Sequence, residues 1–397
     1  MPLRSCLRAL FAIVVGALAA CTTQSEEPIA IADVEFVAPV PRGHGIARAP
    51  VAWVDAARAE AGTASGRREL RGWLYYPAAE ATGASGAALD RAWAEAYRPT
   101  LVRRIGGAAA DAMLQATWHA AEGGIAAPGR FPVLVFAHGY RQLPTNYSAL
   151  IEAMVARGYA VLAPTSPGVA DVVLLAGGRI AERQGLADDM YDLQAVDIAS
   201  AVTELARLDA ADGEPYAGHL DLTRVGVFGH SLGGAAAVLA AARVTAIRAA
   251  ANLDGDYSGP AESARPRVPL LYVTTQPPNR EAAPLDAWDD ESNERRRARI
   301  WQGITAGSPR ALRVRIGGMF HSNFQDDALL PAQAIPPKLR GTRFGSIDGA
   351  RGIDLSARLL AAFFAATLDG PAAEPIEAVV AECGTCDVKL AGSDATR

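Results

Sequence analysis

Apolar positions along the chain fall into two kinds of run. Phe131–Phe136 (FPVLVF), Tyr159–Ala163, Arg224–Phe228, Ile247–Leu253, Val268–Thr274 and Leu312–Ile316 are short and largely apolar. Strands buried on both faces read this way. Between them, apolar residues recur at helical spacing over Tyr147–Arg157, Leu186–Leu208, Ser231–Ala242 and Leu355–Leu368. Asp289–Ile300 is a charge-dense helix with a solvated face. Strands alternating with helices predict an α/β fold, a mostly parallel sheet with helices on both faces. Upstream, Val51–Val54 and Glu69–Tyr76 flank a Gly/Ser/Arg turn and read as an antiparallel hairpin. Residues 80–127 are Ala-rich with Trp, Leu and Met at helical spacing, which predicts a helical insertion. The pattern delimits one catalytic domain over residues 46–370 and a short tail over 371–397.

The first twenty residues carry a different signal. Arg4 and Arg8 precede an apolar run from Ala9 to Ala20. As a helix it would rise about 18 Å, too little for a bilayer core of about 30 Å. It fits the core of an export signal, with Leu18-Ala19-Ala20-Cys21 resembling the lipobox of bacterial lipoproteins. On that reading residues 1–20 are removed, Cys21 carries lipid and residues 21–45 form a tether. An ordinary secretory signal, with Cys21 incidental, is the alternative. Either way the protein is exported, to the cell envelope or beyond.

Composition narrows the function classes. Half the residues are hydrophobic and 20% charged, which excludes a wholly disordered chain. The formal charge of −5 implies no broad basic surface and argues against nucleic acid as a partner. Six histidines and four cysteines are too few for a metal cluster or a disulfide-dense scaffold. Cys383 and Cys386 stand as a CxxC in the tail, with no second pair, and in an oxidising compartment read as a small local disulfide or two idle thiols. No P-loop, dinucleotide fingerprint or H-E-x-x-H occurs, and no cofactor or metal is expected.

The chemistry is carried by Gly229-His230-Ser231-Leu232-Gly233, a G-x-S-x-G between a predicted strand and a predicted helix. Such a turn lifts a serine above the sheet edge and aims the next amide, that of Leu232, at a substrate carbonyl oxygen. Ser231 is therefore the candidate nucleophile. A serine nucleophile needs a base, and the base a carboxylate. His321 is the one histidine after Ser231 and follows the last predicted strand. His230 adjoins the nucleophile, and its side chain must leave the turn in another direction. Asp254 ends the strand Ile247–Leu253 and is the candidate acid, with Asp256 the alternative. The loop after Phe136 (Ala137-His138-Gly139-Tyr140) would supply a second oxyanion donor, the Tyr140 amide.

These motifs carry a resemblance. FPVLVFAHGY, NYSAL…MVARGYAVLAP, LADDMYDLQAVDIASAV, VFGHSLGGAA, NLDGDY and HSNFQD resemble the α/β-hydrolases related to plasma-type platelet-activating factor acetylhydrolase, over about residues 48–370. That family's acid lies early, at the 23-residue spacing that separates Ser231 from Asp254. The resemblance implies an α/β-hydrolase fold and hydrolysis of esters with short or oxidised acyl chains, phospholipids among them. Residues 80–127 and 276–310 match weakly and are where acyl and leaving-group pockets would be shaped. A cutinase-like polyester hydrolase is the alternative. A non-catalytic envelope binding module would instead show a damaged triad.

Overall fold

The computed structural model describes residues 36 and 38–390, apart from 80–85, 184 and 276–291. The expected signal peptide, Cys21 and most of the expected tether lie outside the described residues. The strands are β1 (Gly45–Ala59), β2 (Arg67–Ala78), β3 (Ala121–Glu122), β4 (Phe131–Ala137), β5 (Ala160–Thr165), β6 (Val172–Leu174), β7 (Ile180–Glu182), β8 (Leu220–His230), β9 (Ile247–Leu253), β10 (Leu270–Thr274), β11 (Ala311–Ile316) and β12 (Cys386–Leu390). The helices are α1 (Arg91–Ile105), α2 (Gly107–Gln115), α3 (Ser148–Ala156), α4 (Asp189–Asp209), α5 (Leu232–Ala241), α6 (Ser292–Thr305), α7 (Pro337–Arg343), α8 (Gly349–Leu368) and α9 (Ile376–Cys383).

Ten strands form one sheet in the order β12-β11-β10-β9-β8-β4-β5-β2-β1-β3. The run from β11 to β5 is parallel, as the continuous apolar strands required. The β1–β2 hairpin joins antiparallel through β2, and both of its strands extend well beyond the apolar stretches that marked them. β6 and β7 form a separate two-stranded ribbon. Alternation along β4 shows why its whole surface is apolar. Leu134 and Phe136 enter a core shared with α1, α3 and α8, whereas Val133 and Val135 enter one shared with α4 and α5. The Ala-rich α5 lies close on the sheet because its side chains are small, and all ten of its residues are buried.

The segment after residue 370, expected as a tail, is part of the fold. α9 packs by Ile376 and Val379, and β12 pairs antiparallel with β11 at the sheet edge. Its pattern, CDVKL, is too short and too polar to read as a strand; the free edge of β11 supplies the pairing. Cys383 and Cys386 are joined as a disulfide between α9 and β12. In the insertion, α1 packs onto the core through Trp93, Tyr97, Leu101 and Ile105, and α2 through Ala109, Ala110 and Met113, all buried.

A buried ion pair fastens the hairpin to the helical layer. Arg68 of β2 donates from Nε and Nη2 to the two carboxylate oxygens of Asp197 on α4, at 3.1 and 2.6 Å. Arg68 Nη2 also donates to Pro167 O, 2.9 Å, in the loop after β5. Asp197 is fully buried and also pairs with Arg58 at 2.7 Å, so its truncation takes the buried carboxylate from two guanidinium groups and leaves Arg68 with Glu60, at 2.9 Å, as its remaining carboxylate. Asp197→Ala is therefore expected to cost about 3–5 kcal/mol of stability, read as a lowered denaturation midpoint; an unchanged midpoint would refute this role.

Candidate active site

Ser231 sits between the end of β8 and the start of α5 with φ 57° and ψ −129°. This is a strained conformation for a residue with a side chain, costing on the order of 1–3 kcal/mol. The surroundings impose it. A Cβ on Gly229 would lie 2.4 Å from Gly233 O, and one on Gly233 would lie 2.3 Å from Ala137 O. Glycine alone lets β8, α5 and the loop after β4 come this close.

The serine hydroxyl lies 3.0 Å from His321 Nε2, and His321 Nδ1 lies 2.7 Å from Asp254 Oδ2. Asp254 also has a positive φ, 55°, at the end of β9. Its carboxylate accepts from Thr275 N at 2.9 Å and from Thr275 Oγ1 at 2.7 Å. With His321 donating as well, the carboxylate is held in one orientation. Desolvation by its packed surroundings pushes the His321 imidazole down, but the hydrogen bond to Asp254 and that carboxylate's charge outweigh it and raise the pKa above the ordinary value. The alternative acid, Asp256, is instead ion-paired with Arg297 at 2.5 Å.

The Leu232 amide occupies the first position of α5, where an N–H has no acceptor within the helix. Gly139 and Tyr140 line the same cavity as Ser231, and a Cβ on Gly139 would come within 3.3 Å of the serine Cβ. The backbone of this loop therefore passes directly against the nucleophile. Two buried side chains hold it. His138 donates from Nδ1 to Gly139 O, 2.9 Å, and accepts at Nε2 from Ser166 N, 3.0 Å; burial pushes its pKa down to about 4, so the ring is neutral. Gln194 of α4 donates to His138 O at 2.9 Å.

His230 has a part that the linear motif could not show. It is buried, and its Nε2–H donates to the backbone carbonyl of His321 at 2.9 Å. That bond fixes the tautomer, so Nδ1 accepts from the Tyr147 hydroxyl at 2.8 Å. The Tyr147 oxygen in turn accepts from Gly139 N at 3.3 Å. Burial, then the neighbouring His321 charge, hold the His230 pKa well below its ordinary value. This chain of three bonds ties the nucleophile turn to both the base loop and the oxyanion loop. Tyr147, Thr275 and Gln194 were not recognisable as site residues, since each reaches the site from a distant part of the chain. The nearest sequence signal is the run of hydroxyl groups at Thr274-Thr275, directly beyond a strand end.

The cavity at Ser231 has a volume of about 670 Å³. One wall comes from α1 through Thr100, Arg103 and Arg104, and another from α7 through Leu339 and Arg343. The insertion and a helix absent from the sequence pattern thus shape the cleft.

Comparison with known proteins places the fold. The structure is similar to that of a ferulic acid esterase from Streptomyces cinnamoneus, with a TM-score of 0.67. The match covers 89% of this chain and 98% of that one at 24% sequence identity, a likeness of fold. A family model described as alpha/beta hydrolase matches residues 134–389, more than half of the sequence, from within β4 to within β12. The chain belongs to the alpha/beta hydrolase family.

Proposed function

We propose that the protein is a serine carboxylic ester hydrolase acting on esters with short acyl chains, in the manner of the platelet-activating factor acetylhydrolase relatives that its motifs resemble. The observation that carries this reading is the continuous chain Ser231 Oγ–His321 Nε2 and His321 Nδ1–Asp254 Oδ2, 3.0 and 2.7 Å, built on a strained serine turn. Ser231 attacks the acyl carbonyl as His321 takes its proton. Asp254 holds the imidazole in the required tautomer and stabilises the imidazolium. The amides of Leu232 and Tyr140 receive the developing oxyanion. His321 then protonates the leaving alkoxide, and in the second half-reaction takes a proton from the water that releases the acid. No step calls for a metal or cofactor.

A small buried apolar cluster of Val169, Met190 and Leu232, with Tyr140, Tyr191 and Leu193 against it, packs behind the oxyanion residues and steadies their backbone. The reading also includes export, with attachment to the envelope through a lipid on Cys21. The intact Ser–His–Asp chain speaks against a purely binding role.

Three outcomes are expected. In a panel of 4-nitrophenyl esters of increasing acyl length, a short sn-2 acyl phospholipid and a polyester oligomer, turnover should centre on short acyl chains. Ser231→Ala should lower it about 10⁴-fold or more. Preference for the oligomer would favour the polyester alternative, and turnover surviving Ser231→Ala would refute the mechanism. Because His321 must be neutral to act as base, kcat/KM should rise with pH through an apparent pKa above the ordinary imidazole value of about 6.5. Asp254→Asn should move that limb to lower pH while lowering the plateau; a limb at or below the ordinary value in the wild type would contradict the assignment. Tyr147→Phe removes the hydroxyl that joins Gly139 to His230. It should lower kcat about tenfold and cost about 1–3 kcal/mol of stability, since a buried ring nitrogen loses its donor; an unchanged kcat would remove Tyr147 from the positioning chain.

A further inference from the structure

The walls of the Ser231 cavity are cationic, although the chain as a whole carries a formal charge of −5. Arg103, Arg104, Arg141 and Arg343 line it, and Asp171 is the one carboxylate among its lining residues. The carboxylates within reach are already shared. Asp327 accepts from Arg104 at 2.8 Å and from Arg343 at 2.9 Å. Asp171 accepts from Arg141 at 3.3 Å and from Arg183 at 2.7 Å. Arg103 donates to the Thr100 hydroxyl at 3.0 Å and has no carboxylate partner among the described residues. Among the described residues, five guanidinium groups therefore meet two carboxylates; counting Asp254 of the triad still leaves an excess of two positive charges.

Large apolar side chains are few in the rest of the lining. Beside the Tyr140 ring, Leu339 is the one large apolar side chain that lines the cavity. Burying an alkyl group needs apolar surface on both sides, whereas guanidinium groups in a partly enclosed cleft favour a carboxylate or phosphate oxygen through charge-assisted hydrogen bonds. The placement is directional too. Arg103 comes from α1 and Arg343 from α7, and both face the same cavity as Ser231 and His321.

Resting on the ester-hydrolase reading above, we infer that the substrate is an anionic ester, with a carboxylate or phosphate on its acyl or alcohol part seated against Arg103 and its neighbouring arginines. The reaction is unchanged: the serine forms the acyl bond, the alcohol leaves with a proton from His321, and water releases the acid. The anion contributes by orienting the ester, and arginine contacts of this kind are weakened by salt.

The test uses the full chain and matched ester pairs. Phenyl hydrogen adipate is compared with phenyl hexanoate for an acyl-side carboxylate. 4-Acetoxybenzoate is compared with its methyl ester for an alcohol-side carboxylate, and 4-acetoxyphenyl phosphate with 4-tolyl acetate for a phosphate. In about 0.01 M salt, where the screening length is roughly 30 Å, at least one anionic ester should exceed its partner about tenfold in kcat/KM. That advantage should shrink in about 1 M salt, where the screening length is roughly 3 Å. Arg103→Glu should abolish or invert the ratio, and Arg103→Lys should keep most of it. The arm that shows the advantage identifies the anion and the side that bears it. If the neutral esters are hydrolysed with dependence on Ser231 and no anionic ester is favoured, the inference falls and the hydrolase reading stands. A ratio unmoved by Arg103→Glu overturns the assignment as well. If no ester in either set is turned over, the hydrolase reading fails and the inference fails with it.

Discussion

A serine held at φ 57° is the constraint around which this molecule is arranged. An L-residue leaves that conformation unless its neighbours forbid it. Here the prohibition is spatial: β8, α5 and the loop after β4 approach so closely that a methyl group at Gly229 or Gly233 would overlap backbone. The parallel strands β4, β8 and β9 bring these segments to one edge, and the small side chains of α5 let the helix lie near the sheet. Fold and site are in this sense one arrangement. The strain at the serine persists because two buried apolar layers, one on each face of the sheet, hold the surrounding backbone in place.

The second level of organisation is polar and buried. His230 stands one residue before the nucleophile, yet its side chain faces away and joins the base loop to the oxyanion loop through Tyr147. Burial keeps it neutral, so it serves as one donor and one acceptor of fixed sense. His321, by contrast, has Asp254 beside it, and its pKa is raised. Two histidines 4.5 Å apart, centroid to centroid, thus have opposite electrostatic settings, one suited to hold geometry and the other to accept a proton. The arginine-rich walls add a third setting, a positive field over the cleft of an acidic protein.

How much of this could be read from the sequence follows from the range of the interactions. The central strands were legible because a strand covered on both faces must be apolar along its whole length, as in FPVLVF. Ser231, Asp254 and His321 could be named because each follows a legible strand, and the structure brings these three together. What could not be read lies in pairings that neither partner announces. β12 is a strand only because β11 has a free edge. Thr275 matters because it lies across from Asp254, and Arg104 and Arg343, 239 positions apart, share Asp327. The choice of Asp254 over Asp256 rests on which carboxylate reaches His321, and it is Asp254 Oδ2 that lies 2.7 Å from His321 Nδ1. The motif resemblance pointed toward short acyl esters, but the walls that would select among esters come from α1 and α7, outside the shared motifs.

The central claim is that Ser231 is a nucleophile activated in place by His321. It is tested most directly by treating the full chain with a fluorophosphonate and mapping the modified residue by mass spectrometry, beside the His321→Ala variant. The account predicts one covalent adduct per chain, on Ser231, forming in the wild type and slowed by orders of magnitude in the variant. An adduct on another residue, or labelling of Ser231 at the same rate without His321, would contradict it.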